Sequence, residues 1–223
     1  MKDFNNIQNI PDFTNSLKKE FYLRNTNTIA KELIGKALVR NIDGICIAGK
    51  IVETEAYLAD NDMASHSVTG KSRRNEAMFE TGSILYVYKI YGVHYCINVV
   101  TEDNNKGCAV LIRSIEPLLG IEKMIENRGI NNINNLCKGP GNVAKAFGFN
   151  LDDNFSSLIQ ENLFIQNFQS IDDENIGCSN RIGIAKSSDL MLRYYEKNNS
   201  FVSGNKKIHK SEVVKLSNIR KRQ

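Results

Sequence analysis

The chain contains no tryptophan. That side chain is a frequent platform for sugar rings, so its absence argues against a carbohydrate site. No apolar run approaches the roughly 18 residues a membrane helix needs. The stretch "MKDFNNIQNIPDFTNS" is polar and lacks the apolar core of a signal peptide, so an intracellular, soluble protein is expected. Five cysteines, Cys46, Cys96, Cys108, Cys137 and Cys178, are odd in number and none is spaced as CxxC. The usual signals of a disulfide framework and of a zinc site are therefore both missing. A metal held by scattered cysteines with His66 and His94 stays open beside the alternative of free thiols packed as small apolar residues. There is no internal repeat and no composition shift that would mark a domain boundary.

What is present suits one domain. The 223 residues are 41% hydrophobic, enough for a sizeable core and too much for global disorder. The net charge of +4 is unevenly placed. Residues 204–223 carry seven basic side chains against Glu212 alone, a net +6, so the other 203 residues carry −2. Such a tail either holds phosphates or is an ordinary soluble terminus. The expected division is an N-terminal extension over 1–16, a globular domain over 17–203 and the basic tail over 204–223.

Local patterns give the elements. Residues 17–35 are helical in their second half, with Thr28 as cap and Gly35 as stop. "KALVRNIDGICIAGKIVETEAYL" reads as two strands around a turn near Asn41 to Gly44. Residues 59–82 form a long polar loop with a short helix at "NEAMF", and loops of that length are usually functional. "SILYVYKIYGVHYCINVV" is strand-like with a bend at Gly92. A strand over 107–115, a helix over 116–128, a helix opened by "KGPGN" and a last strand in "LRYYEKNNSFVSG" follow. Residues 150–180 are acidic and asparagine-rich and read as a surface excursion. The fold expected is α+β, with several antiparallel strands and a few helices.

Candidate chemistry is concentrated in "IVETEAYLADNDMASHS", residues 51–67. Strand alternation puts Ile51, Glu53, Glu55 and Tyr57 on one face, with the two carboxylates about 7 Å apart. A solvated sheet face and an active site both fit that pattern. Tyr86, Tyr88, Tyr91 and Tyr95 stand within ten residues, as half-buried packing groups or as a stacking surface for a flat ligand such as a base. "GKSRRNEAMF", with Lys71, Arg73 and Arg74, is either a solvated loop or a phosphate contact. The helix after "GPGN" offers free N–H groups that suit a phosphate. Arg113 ends an apolar run, so its charge needs a partner, and a carboxylate such as Glu55 would serve.

Together these segments resemble the alkyladenine (3-methyladenine) DNA glycosylase family. The resemblance runs in order through "FYLRNTNTIAKELIGKALVR", "GKIVETEAYLADNDMASHS", "RRNEAMF", "ILYVYKIYGVHYCINVV", "AVLIRSIEPLLG", "KGPGNVAKAFG", "RIGI" and "RYYEKNNSFVS", from about residue 20 to residue 203. It implies a monofunctional glycosylase of base excision repair, acting as a monomer on double-stranded DNA with damaged purines. Such enzymes flip alkylated or deaminated purines (3-methyladenine, hypoxanthine, ethenoadenine) from the duplex and hydrolyse the N-glycosidic bond. It also implies a single compact α+β domain with a curved, mainly antiparallel sheet flanked by helices, and no metal or organic cofactor. The short N-terminal extension resembles compact bacterial members, which implies a cytoplasmic, nucleoid-associated protein.

The resemblance also assigns roles. Glu55 is the general base, and Arg113 with the main-chain carbonyl of Ile182 helps hold the attacking water. Tyr57 and Tyr88 sandwich the flipped base, His66 contacts it, Asn98 disfavours the 2-amino group of guanine, and Tyr91 fills the gap in the duplex. Arg73, Arg74, Gly139, Gly141 and Asn142 contact the DNA backbone. No lysine is among these assigned residues to form a Schiff base, so no lyase activity is expected. Two departures stand out: Asn142 replaces the lysine of the family's "GPGK", and Leu190, Met191 and Leu192 replace the proline and tryptophan before "RFY". The alternatives are a non-catalytic DNA-binding module and a sugar glycoside hydrolase using Glu53 and Glu55.

Overall fold

Asp43 and Gly44 both adopt positive φ, 50° and 77°. They close a two-residue hairpin between β1 (Ala37–Ile42) and β2 (Ile45–Tyr57). In the computed structural model, which describes residues 11–204, this hairpin is the middle of a curled antiparallel sheet. The other strands are β3 (Leu85–Ile90), β4 (His94–Thr101), β5 (Cys108–Leu119), β6 (Ile159–Gln160), β7 (Leu163–Gln166), β8 (Ile176–Ser179) and β9 (Arg193–Glu196). They are ordered β3-β4-β5-β2-β1-β7-β6, with β9 attached to β2 and β8 to β9. Five helices accompany the sheet among the described residues: α1 (Lys19–Tyr22), α2 (Thr26–Glu32), α3 (Ile121–Arg128), α4 (Ile133–Leu136) and α5 (Pro140–Ala146).

The helices meet the sheet in one core. Ile29 and Leu33 of the α2 region, Met124 of α3 and Val143 of α5 join Ile51, Ala56, Ile97, Ile112 and Ile115 from the strands. Full burial of each of these side chains other than Ala56 is worth about 1.5–3 kcal/mol. The α+β single domain with a curved antiparallel sheet is as expected. The turn at Asp43–Gly44, the bend at Tyr91 to Val93, the helix after "GPGN" and a short 3-10 turn at Glu76–Phe79 also fall where the sequence put them.

Four local expectations are corrected. Helix α2 is capped by Asn25, whose side chain accepts from the N–H groups of Asn27 and Thr28, so the cap lies three residues before Thr28. Strand β5 runs to Leu119, and α3 begins only at Ile121, after Gly120 at φ 70°. Pairing with β2 up to Leu119↔Ala48 overrides the local helix pattern of 116–120. Residues 150–180 are not a surface excursion, because β7 is buried at all four positions and pairs with β1, and β8 pairs with β9. The short apolar run "LFIQ" is what the surrounding asparagines and acids conceal.

The fourth correction concerns residues 51–57. Ile51 and Ala56 both enter the main core, while Val52 joins Tyr195 and Val202 in a separate cluster. Simple alternation cannot do this. The β2–β5 ladder pairs Ile51 with Ile115, Glu53 with Ser114 and Thr54 with Ile112, leaving Val52 and Arg113 each without a partner. Two facing bulges thus shift the alternation, and bulges of this kind re-aim side chains.

Candidate active site

Glu53 and Glu55 are both fully buried, at 0% exposure, which excludes a solvated sheet face. The reason is local. Strand β9 covers the free edge of β2 at Glu53 to Glu55, and β5 lies on the other side. Glu53 Oε1 accepts from Arg193 Nε at 2.7 Å, Ser203 Oγ at 3.0 Å and Arg113 Nε at 3.1 Å. Its Oε2 accepts from the Ser203 N–H at 2.7 Å. Glu55 Oε1 accepts from the Ile182 N–H at 2.7 Å. Its Oε2 accepts from the Tyr57 hydroxyl at 3.0 Å and from Arg113 Nη1 at 3.2 Å.

These surroundings drive the two carboxyls apart in acidity. Burial pushes Glu55 up, and the single guanidinium of Arg113, the Ile182 N–H and the Tyr57 hydroxyl do not offset it. Burial also acts against ionised Glu53, but Arg113, Arg193 and the Ser203 N–H together outweigh it and hold that carboxyl below its usual range. Paired carboxyls with divergent environments divide into different roles. Glu53 is a saturated anion. Its ion pairs stabilise the fold above the unfolded-state pKa and are lost as pH falls through the depressed folded one. Glu55 is the carboxyl with appetite for a proton.

Beside Glu55 lies a cavity of about 380 Å³, within the range typical of small-ligand sites. Tyr57, His66, Tyr88, Tyr91 and Asn98 line it, with Arg113 and Ile182 on the Glu55 side. Tyr88 stacks on Tyr86 at 5.4 Å, and His66 meets Tyr88 edge-on at 4.6 Å. His66 Nδ1 lies 2.8 Å from the Tyr86 hydroxyl. The Asn98 amide donates to the Tyr86 carbonyl at 3.0 Å, which fixes it in the wall. Burial, and then the charge of Arg74, pushes His66 down, so it is neutral at neutral pH. Burial pushes Tyr86 up to about 12, and Tyr57 and Tyr88 also rise. The tyrosines and His66 of the wall are therefore neutral, and the positive charge in the lining comes from Arg74 and Arg113.

Strands β2 to β5 supply most of this wall, two loops complete it with His66 and Ile182, and one ion pair ties the loops. Arg181 donates to both oxygens of Asp62, at 2.7 and 2.6 Å, and to the Ala56 carbonyl at 2.9 Å. Its guanidinium stands over the Tyr57 ring, 4.5 Å from the centroid. Asp62 in turn accepts the N–H groups of Leu58 and Ala64. The clamp joins the 58–66 loop to Ile182.

The structure brings most of the sequence-derived site together. Arg74 is exposed and reaches the cavity wall, whereas Arg73 is exposed and does not. Tyr91 is 84% exposed at the tip of the β3–β4 hairpin, at φ 52°. Gly139 and Asn142 flank Pro140, which lines the cavity, but their polar groups bond within the chain. The Gly139 N–H donates to Ser114 Oγ at 3.0 Å, and the Asn142 amide to the Lys138 carbonyl at 2.6 Å. Gly141, also at the start of α5, packs close to the His94 side chain. Arg193, Ser203, Arg181 and Asp62 were missed. The one signal was charge inside otherwise strand-like or apolar runs, as in "RYYE" and "RIGI". Cys96, Cys108 and Cys137 are buried, and the five cysteines form no disulfide. Among the described residues no group of three His, Cys, Asp or Glu is placed to hold a metal. Nor is any helix among them long and apolar enough to cross a membrane.

A family profile described as methylpurine-DNA glycosylase matches residues 20–200. A protein of Chlorobium phaeobacteroides strain BS1 is 42% identical over 191 residues, covering 85% of this chain and 96% of its own length. One of Methanoculleus marisnigri is 42% identical over 191 residues, covering 84% and 98%. One of Francisella tularensis strain SCHU S4 is 44% identical over 177 residues, covering 78% and 91%. All three are provisionally named 3-methyladenine DNA glycosylase.

Proposed function

The chain belongs to the methylpurine-DNA glycosylase family, and on that premise we propose that it hydrolyses damaged purines from duplex DNA through Glu55. The observation that carries this reading is the bonding of buried Glu55 to Arg113 and to the Ile182 N–H, two residues that line an aromatic cavity. Glu55 takes a proton from water as the water oxygen attacks the sugar carbon C1′. The glycosidic bond breaks, and its electron pair leaves with the base. A purine made cationic by alkylation leaves as a neutral molecule. The Glu55 carboxylate also stabilises the positive charge that develops on the sugar. Arg113 and the Ile182 carbonyl orient the water. The raised affinity of Glu55 for protons suits a base, since it takes a proton more readily than a solvated carboxylate would.

Tyr57 and Tyr88 stack on the flipped purine, with His66 and Asn98 reading its edges. Arg73 and Arg74 hold phosphates. The saturation of Glu53 by Arg193, Arg113 and Ser203 speaks against a two-carboxylate sugar mechanism. A duplex with a single hypoxanthine, ethenoadenine or 3-methyladenine, incubated with the protein, is expected to acquire an abasic site that breaks only after alkali. A nick without alkali would mean lyase chemistry, and an uncut strand for every lesion would end the enzyme reading.

Tyr91 fills the gap left by the flipped base, a reading its exposure at the hairpin tip supports. Tyr91→Ala is expected to weaken binding to a lesion duplex by about 1–3 kcal/mol, one base-stacking interaction, roughly a 5- to 150-fold rise in Kd. Its melting temperature should stay at the parent's, because the side chain packs on little of the protein. Unchanged affinity in a titration by fluorescence anisotropy would exclude the wedge role.

A further inference from the structure

Arg193 does not line the cavity, yet its guanidinium has 0% exposure. A buried charge is costly unless it is well partnered, so its partners show what it does. Arg193 Nε donates to Glu53 Oε1 at 2.7 Å, Nη1 to Ser179 Oγ at 2.8 Å and Nη2 to the Ser203 carbonyl at 3.1 Å. Glu53 also receives Arg113 Nε at 3.1 Å, while Arg113 Nη1 reaches on to Glu55 at 3.2 Å. Two carboxylates and two guanidiniums form one buried chain, Arg193–Glu53–Arg113–Glu55, with no net charge.

The order of that chain matters. Arg113 stands on a bulge without a ladder partner, so side-chain bonds set its direction. A carboxylate facing one arginine draws it into a two-pronged pair. If Glu53 had Arg113 alone, the fork would close on Glu53 and leave Glu55. Arg193 and Ser203 fill the Glu53 oxygens and prevent this.

We propose that Arg193 is a positioning residue of the hydrolytic site: by holding Glu53, it keeps the Arg113 guanidinium extended to Glu55. The inference rests on Glu55 being the base. The groups that bear on Glu55 are Glu53 and Tyr57 of β2, Arg113 of β5, Cys96 of β4 and the Ile182 N–H. Burial pushes Tyr57 and Cys96 up, so they stay neutral, and the charges that count are Glu53 and Arg113.

The test measures single-turnover base release against pH for the full chain and for Arg193→Met, Glu53→Gln and the double variant, on one hypoxanthine duplex. Affinity for a duplex with a tetrahydrofuran abasic analogue is measured in parallel. Arg193→Met should lower the rate on the order of 100-fold, as expected of a misplaced catalytic group. It should move the acid limb of the pH profile to higher pH, with affinity for the analogue unchanged. Glu53→Gln removes a repelling carboxylate, so its acid limb should move to lower pH. Because Arg193 acts through Glu53, the double variant should match Glu53→Gln in both rate and limb. Acid limbs that all coincide with the parent's would overturn the inference. So would a double variant tenfold slower than Glu53→Gln, a comparison that holds even if Arg193→Met does not fold. Undiminished turnover by Glu55→Gln would instead refute the underlying role of Glu55, wherever the limbs fall.

Discussion

Glu55→Gln should lose base release by about 10²–10⁴-fold, the usual worth of a positioned general base, while keeping its affinity for lesion DNA. The amide is nearly the same shape as the carboxylate and retains an oxygen for the Ile182 N–H or the Tyr57 hydroxyl. Arg113 keeps its bond to Glu53. What the amide cannot do is take a proton from water. The variant should also be as stable as the parent or more so. Burial raises the folded-state pKa of Glu55, so protonation favours the fold. That contribution is complete below the unfolded-state pKa and is gone once pH has risen through the folded one. Above the folded-state pKa the parent therefore holds a buried anion that glutamine does not have. Parental turnover by Glu55→Gln would refute the assignment, and a melting temperature below the parent's across the pH range of activity would refute the electrostatic argument.

Asp62→Ala should cost about 3–5 kcal/mol of stability, the usual consequence of stranding one partner of a buried ion pair. For a domain of this size each kcal/mol is worth about 2–4 °C, so a fall of roughly 6–20 °C is expected. Both side chains are at 0% exposure, and the pair is bidentate at 2.6 and 2.7 Å, which sets it apart from surface pairs such as Arg24–Glu32. Exposed pairs of that kind contribute about 0–1 kcal/mol. Losing Asp62 also releases the N–H groups of Leu58 and Ala64 and loosens the loop that carries His66. Arg181 would lose its counterion beside Tyr57. Turnover should fall along with stability even at temperatures where the variant is folded. A thermal melt within 2 °C of the parent's would show that the clamp does not hold these loops.

Much of this was legible in the sequence where the determinants are local. Asp43–Gly44 between apolar runs announces a tight hairpin, and Gly92 announces the turn that carries Tyr91. The ordered motifs brought Tyr57, His66, Tyr88, Asn98, Arg113 and Ile182 to one cavity, although the chain separates the first and last by more than a hundred residues. The rest depends on contacts that no local pattern contains. Alternation assigned Ile51 to the face of Glu53 and Glu55, because a facing pair of bulges between β2 and β5 has no signature within either strand. The partners of Glu53 come from β5, β9 and the segment after β9, so its saturation was invisible in "ETEAY". Asn25 rather than Thr28 caps α2 because both are good caps and only the fold selects between them. The segment "LFIQ" was hidden for the same reason, since its burial comes from pairing with β1. Most of the N-terminal extension and of the basic tail expected from the sequence lies outside the described residues.

The central claim is that one carboxylate, Glu55, drives hydrolysis of a flipped purine. Its most direct test is a single-turnover experiment on an ethenoadenine duplex, following free base and alkali-labile strand together for the parent and for Glu55→Gln at equal, saturating protein. The account predicts equal amounts of free base and broken strand from the parent, and neither from a Glu55→Gln protein that binds the same duplex as tightly. No free base from the folded parent, or release by Glu55→Gln at the parental rate, would contradict it.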